Sequence, residues 1–546
     1  MKKRFHLLAL LAMAFMFISC DNSGDEEPQD DGTPTETKYV RKNAHSPEAQ
    51  ADLEAMKKAF GIMREKECTD PLSWYYQGAI HLLPDSVVGN PLCDYYQNVG
   101  DTLAINRPLK PGWHQCTHLE LTLQEEYHFL IWHRFYIWHL EQVVRELSGK
   151  EDFALPYWNY LDPEQRAMPE IFWNPADPAE NPLYADARWK YLNEGNPFPE
   201  VSPDSGSFNV GLQLNMAYSA SFSYTEYESF NRALDDVPHG ICHGSIGGTK
   251  TDQGQMVFNP IYNRVVHTGL MSDLATAGFD PIFWVHHANI DRLWEQWTRS
   301  ENGALVSLDT LKKYPKTYLF FDGQGNQIEY TMEEVYEKAY ALDYVYDDIP
   351  TDLPLPTSAK GTQRKKIVAT FNQNELTTPL EGTRTEFTLV PFAAPEEPNP
   401  SIDNHIAFAN DSTVKVTHIE AAEGEGIISK MLVGATFAEE PGGVFTVFVN
   451  LPEEYTSVED IPEDVREKHL AGILNYFGNH CVTQNGIPTC GTNPTVRKDV
   501  LDISKLFDAL ELEGRSDVRV TIFKSQASDK VNISRISIVD GIYAMN

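Results

Sequence analysis

Two stretches decide how this chain folds: FLIWHRFYIWHLE, from Phe129 to Glu141, and DPIFWVHHANID, from Asp280 to Asp291. The first lies inside a longer run, Glu126 to Leu147 (EYHFLIWHRFYIWHLEQVVREL), whose apolar side chains recur at helical spacing. Between the two stretches, PHGICH places His239 and His243 four residues apart, so on a helix both imidazoles project from one face and can share a metal. His287 and Asp291 repeat that spacing, which suits a ligand and a group that anchors its helix. Upstream, WYYQGAIH ends at His81 and CTH ends at His118. A lone buried histidine is ordinarily a hydrogen-bonded core residue, but two clusters with few carboxylates beside them point to metal ligands. No Glu follows His239, so this is not the H-E-x-x-H of zinc proteases. An all-imidazole set suits copper, zinc, iron or nickel; di-iron bundles recruit Glu, and calcium or magnesium needs oxygen donors.

Working outward, 546 residues imply two to four domains. Lys plus Arg is 44 against 79 for Asp plus Glu, a net charge of −35 that repels phosphate backbones and argues against nucleic-acid binding. Lys2, Lys3 and Arg4 precede an apolar run from Phe5 to Ile18, then Ser19 and Cys20, which resembles a bacterial lipoprotein signal with Cys20 as the lipidated residue. Residues 1–19 are therefore expected to be a signal peptide and 20–38 an acidic, disordered tether, giving an exported protein lipid-anchored to the cell envelope. An aromatic and histidine-rich region fills 39–300. Residues 301–348 carry FFDGQGNQIEY, read as a hairpin turning at Gly323–Gly325, then the helix-forming TMEEVYEKAYAL. A Pro-marked linker, 349–361, leads to 362–546, where STVKVTHI, VFTVFVNL, DVRVTIF and NISRISIV read as strands of a β-sandwich.

Phe129–Glu141 resembles the first copper signature of tyrosinases and catechol oxidases, and Asp280–Asp291 resembles the second. DYVYDD (Asp343 to Asp348) is similar to the tyrosine motif that closes the catalytic domain of plant polyphenol oxidases, and HLAGILNYFG, DVLDISKLFDAL, VRVTIF and VNISRISI look like their C-terminal domain. The resemblance implies a mainly α catalytic domain, a four-helix bundle holding two copper ions, followed by an all-β sandwich that shields the site until a protease removes it. It implies His81, His118 and His133 as ligands of one copper, and His239, His243 and His287 as ligands of the other. The family usually has its second ligand nine residues before the position of His133, which here is Gln124; His118 is taken instead, with His128 as the rival. CTH is similar to the fungal motif in which the cysteine, here Cys116, forms a thioether with the ligand histidine, here His118. His139, His267 and His286 fit no ligand position and are read as structural.

The implied reaction is oxidation of small o-diphenols to o-quinones by O₂. Family members place a carboxylate shortly before the first ligand of the second copper, where it helps take a phenol proton; Asp235 and Asp236 stand there, with Glu228 as a substitute. They are shorter than the usual Glu, and Gly240 follows His239 where an assisting Asn would stand, so monophenol hydroxylation is expected to be weak or absent. Haemocyanin-like oxygen binding and o-aminophenol oxidation are the alternatives. Of seven cysteines, Cys68 and Cys93 could staple the loop around His81, Cys481 and Cys490 could close a loop in the β-region, and Cys242 is left as a buried thiol.

Overall fold

The computed structural model describes residues 39–544 apart from 84–90, 97–108, 117–122, 208–229, 249–255, 356–363, 392–424, 477–482, 489–494 and shorter gaps. His118, Glu228, Cys481, Cys490, residues 1–38 and the side chain of Asp236 lie outside the described residues. Tyr39–Asn546 form one unit. No helix among the described residues is long and apolar enough to cross a membrane.

The front of the chain is helical, as its periodicity predicts. β1 (Tyr39–Arg41) leads to α1 (Gln50–Glu65) and α2 (Trp74–His81). The histidine-bearing runs form α3 (Leu123–Ser148), α4 (Ile241–Gly247) and α5 (Ile282–Thr298). A wider, π-helical turn, Asp235–Gly240, precedes α4 and contains Pro238, which has no N–H to give to a helical ladder. The expected hairpin is β2 (Leu319–Phe321) against β3 (Gln327–Glu329), with Gly325 at φ +80° and the Asp322 carboxylate accepting from the Gln324 and Asn326 amides. α6 (Met332–Ala339) follows, opened by a capping box between Thr331 and Glu334. β4 (Tyr344–Tyr346) then returns to pair in parallel with β1.

That pairing closes a buried ionic network. The Asp291 carboxylate on α5 accepts from Arg134 Nε at 2.5 Å, Arg41 Nη1 at 2.9 Å, Tyr344 Oη at 2.5 Å and Tyr346 Oη at 2.7 Å. Arg41 also reaches Glu141 at 2.8 Å, and Arg134 reaches Glu295 at 3.0 Å. Burial pushes the Asp291 carboxyl up, but Arg134, Arg41 and the tyrosine hydroxyls outweigh it and hold the group below the usual carboxylate range.

The C-terminal region is built on a sheet. Its strands are β5 (Arg364–Asn372), β6 (Arg384–Pro391), β7 (Glu425–Phe437), β8 (Val444–Val449), β9 (Leu470–Asn475), β10 (Thr495–Asp502), β11 (Val518–Lys524) and β12 (Asn532–Ala544). The hydrogen-bonded order is β9-β8-β11-β6-β5-β12-β7-β10. β6 changes partner along its length: Arg384–Leu389 pair with β11, Val390 and Pro391 with β5. Residues from both halves of this order, Val447 and Val520 on one side and Val433 and Ile536 on the other, share one apolar cluster. The expectation of an all-β region needs one correction. Glu463–His469 and Ser504–Ala509 are helices, the first with Glu463 and Asp464 in its first turn and Arg466, Lys468 and His469 in its last, which the helix dipole favours at each end.

One histidine of α3 serves the fold. His139 is buried, with Nδ1 facing the Phe321 carbonyl at 3.1 Å and Nε2 facing Tyr330 Oη at 2.9 Å. Burial pulls its pKa down to about 3. The unfolded chain, near 6.5, therefore takes a proton that the folded chain refuses, so stability present above pH 6.5 is lost as pH falls towards 3. For this residue the loss is about 1.4 kcal/mol per pH unit. Urea titrations between pH 4.5 and 7 should show that slope reduced by about this amount in His139→Gln; identical slopes in the two proteins would contradict the assignment.

Candidate metal centre

His81 ends α2, and three contacts put it in place. Ser73 caps the helix start by accepting from the Tyr76 amide at 3.0 Å. The loop at 114–116 covers the other end: the amides of His114, Gln115 and Cys116 donate to the carbonyls of Ala79, Ile80 and His81 at 2.8, 3.0 and 2.9 Å. Tyr136 on α3 donates to the Gln77 carbonyl, tying the two helices. Glycines allow the close approach: a Cβ on Gly78 would stand 2.5 Å from Phe279, and one on Gly278 would stand 2.8 Å from His81 Cβ. The Cys68–Cys93 disulfide expected around this loop is formed.

α3 supplies His133 and α5 supplies His287; their rings stack at 4.3 Å between centroids and 8° between planes. The start of α5 is held by Asp280, whose carboxylate accepts from the Ile282 amide at 3.1 Å and pairs with the buried Arg188 at 2.6 Å. His239, from the π-helical turn, and His243, from α4, sit with ring centroids 4.6 Å apart, as their spacing predicts. Two groups of candidate ligand atoms result, each within 4.8 Å of one another: His81, Cys116 and His133, and His239, His243, His286 and His287. All are buried.

Carbonyl oxygens decide how these rings face. His133 Nδ1 lies 2.8 Å from the Phe129 carbonyl, His239 Nδ1 3.0 Å from the Asp235 carbonyl, and His243 Nδ1 2.9 Å from the Met271 carbonyl. A carbonyl can only accept, so each Nδ1 carries the proton and each Nε2 keeps its lone pair. Among the described residues, His287 has no hydrogen-bond partner on either ring nitrogen. Burial first, then the neighbouring imidazoles, pushes His243 and His287 well below the ordinary histidine value, so both are neutral. Phe129 lies 4.9 Å from His133 and 4.8 Å from His239, and Phe283 lies 5.0 Å from His81 and 4.1 Å from His287. Buried imidazoles whose candidate ligand atoms gather within 4.8 Å of one another, inside an aromatic lining, fit two copper ions.

The rival ligand, His128, is held by other partners. His128 Nε2 faces the Tyr314 carbonyl at 2.6 Å and Nδ1 faces Tyr318 Oη at 2.8 Å, so both nitrogens are engaged away from the centre. His286, read as structural, stands beside the second group of candidate ligand atoms, with Nδ1 3.0 Å from Tyr160 Oη. Cys116 lies with its sulfur 3.8 Å from His133 Nε2, and Cys242 is the buried thiol expected. His267 is exposed. Asp235 turns its carboxylate to His239, Oδ1 standing 3.0 Å from Nδ1.

Helical segments thus converge on two histidine-lined sites that fit a pair of copper ions, the donor set of a dicopper oxidoreductase. Residues 71–300 match the family model for the common central domain of tyrosinase. The chain is 23% identical over 513 residues to tyrosinase HcTyr1 of Hahella sp. (strain CCB-MM4), covering 87% of this chain and 94% of that one. It is 22% identical over 533 residues to aureusidin synthase of Antirrhinum majus, covering 93% and 82%. The structure of latent apple tyrosinase superposes with a TM-score of 0.57 at 20% identity, covering 92% of this chain and 97% of that one, so the two share a fold. Residues 71–300 thus carry the central domain of tyrosinase, and the relatives that span most of the chain are a tyrosinase and an aureusidin synthase, so the similarity is to copper oxidoreductases that act on phenols.

Elemental analysis after copper loading should give two equivalents for the parent chain and for His128→Gln, and about one for His243→Ala. Loss of a copper in His128→Gln would reverse the ligand assignment.

Proposed function

We propose that this protein oxidises o-diphenols to o-quinones at the expense of O₂, with monophenol hydroxylation weak or absent. The observation that carries the reading is the carbonyl-fixed orientation of His133, His239 and His243, which with His287 and His81 presents imidazole donors to two metals. The chemistry that bound copper supplies is transfer of two electrons from the diphenol towards O₂. The chain's part is to hold the ligands, to keep water out with Phe129 and Phe283, and to leave the diphenol's protons to solvent or to the reduced oxygen. Asp235 turns Oδ1 to His239, and Gly240 stands after that ligand where an assisting Asn would, so among the described residues no carboxylate–amide pair is at hand to take a proton from a monophenol.

The same proposal reads α2, α3, α4 and α5 as the bundle around the metals, His118 as the remaining ligand with its thioether to Cys116, and 362–546 as a sandwich that holds the enzyme latent. Two contacts favour a covering role. β9 lies against the Asp235–Gly240 turn, and Val444 of β8 and Ile473 of β9 belong to the apolar cluster of the helical region. The copper-loaded chain should form quinone from catechol at once and oxidise tyrosine far more slowly, with Ile473→Gly raising catechol turnover several-fold. Equal rates on tyrosine and catechol would overturn the substrate preference, an oxygenated colour without quinone would mark a carrier, and an unchanged rate in Ile473→Gly would remove β9 as the cover.

Export with lipid attachment at Cys20 completes the proposal, resting on the basic start, apolar run and Ser19–Cys20 of the sequence. Labelled palmitate should enter the parent chain in a bacterial host and fail to enter Cys20→Ser; label in both would reject it.

A further inference from the structure

His239 differs from its neighbours in what stands behind it. His133 and His243 turn Nδ1 to the carbonyls of Phe129 and Met271; at His239 the Asp235 carbonyl at 3.0 Å is joined by the Asp235 carboxylate, also at 3.0 Å. We propose that Asp235 is a positioning residue for the second copper, which binds the Nδ1–H of His239 and places a negative charge behind that ligand. The inference rests on the dicopper reading above.

Local geometry makes this contact. Residues four apart on a helix lie on one face, so Asp235 and His239 meet. The turn that carries them is wide and interrupted by Pro238, a form of helix often found at functional sites. An aspartate is short enough for its carboxylate to sit beside its own carbonyl, so both oxygens stand 3.0 Å from one Nδ1. The His239 side chain is 1% exposed and that of Asp235 27%, so the acid stands at the solvent edge of the site with the imidazole inside. A carboxylate hydrogen-bonded to a ligand imidazole fixes the ring's tautomer and rotation and raises its basicity. Of the two coppers, the one held by His239 is therefore the better supplied with electron density, and the two sites differ in affinity.

The test is a copper titration of the full chain against a competing chelator, resolving both equivalents, with Asp235→Asn and Asp235→Ala beside the parent. Removing such partners weakens metal binding by roughly 10- to 100-fold. Asp235→Ala should lose affinity in that range for one equivalent only. Asp235→Asn, which keeps an acceptor oxygen and loses the charge, should fall between Ala and the parent. The copper-free melting temperature should be the same in all three. Parent-like affinity in Asp235→Ala, or an equal fall in copper-free stability of both variants, would overturn the proposal. A parent chain that binds two coppers yet makes no quinone would instead sink the phenol-oxidase reading and leave the titration interpretable.

Discussion

One carboxylate fixes how the metal-bearing helices stand to each other. Asp291 lies one turn beyond His287, and Arg134, which it binds at 2.5 Å, directly follows His133. The stacking of those two imidazoles at 4.3 Å is thus the far end of a lever whose fulcrum is this ion pair. Arg41 joins from β1, and Tyr344 and Tyr346 join from β4, so the two ends of the helical region are closed on the same atom pair. Buried charges are tolerated when paired, and two guanidiniums face Asp291, Glu141 and Glu295. Removing one partner of such a network leaves uncompensated buried charge, at a cost of about 3–5 kcal/mol.

The centre itself depends on protons being kept at Nδ1 and away from Nε2. Carbonyls from α3, from the π-helical turn and from Met271 do this without adding charge, and burial keeps His243 and His287 neutral. The aromatic rings around them make the site dry, which strengthens every polar contact inside it. Asp235 departs from this pattern by adding charge behind a single ligand. Among the described residues, one group gathers two imidazoles and the Cys116 thiol, the other four imidazoles.

Much of this was legible in the sequence, for a physical reason. Metal ligands at i and i+4 need helices, and helices announce themselves by apolar period, so α3, α5 and the His239–His243 pair could be read directly. The hairpin at Gly323–Gly325 and the Cys68–Cys93 bridge were readable because their partners are near in sequence. Spacing gives a face, however, and not what stands opposite it. His128 looked eligible until Tyr314 and Tyr318, far along the chain, occupied both its nitrogens. Arg41 carries no local signal at all, since β1 is a three-residue strand whose partners lie 100 to 305 positions away. The two short helices between strands of the C-terminal region were hidden by flanking β-forming runs.

The account stands on two coppers bound through Nε2 atoms, and anomalous diffraction at the copper edge from crystals of the loaded protein tests it most directly. It predicts two peaks, one bounded by His81 and His133, the other by His239, His243 and His287. A single peak, or density coordinated by His128, would contradict it.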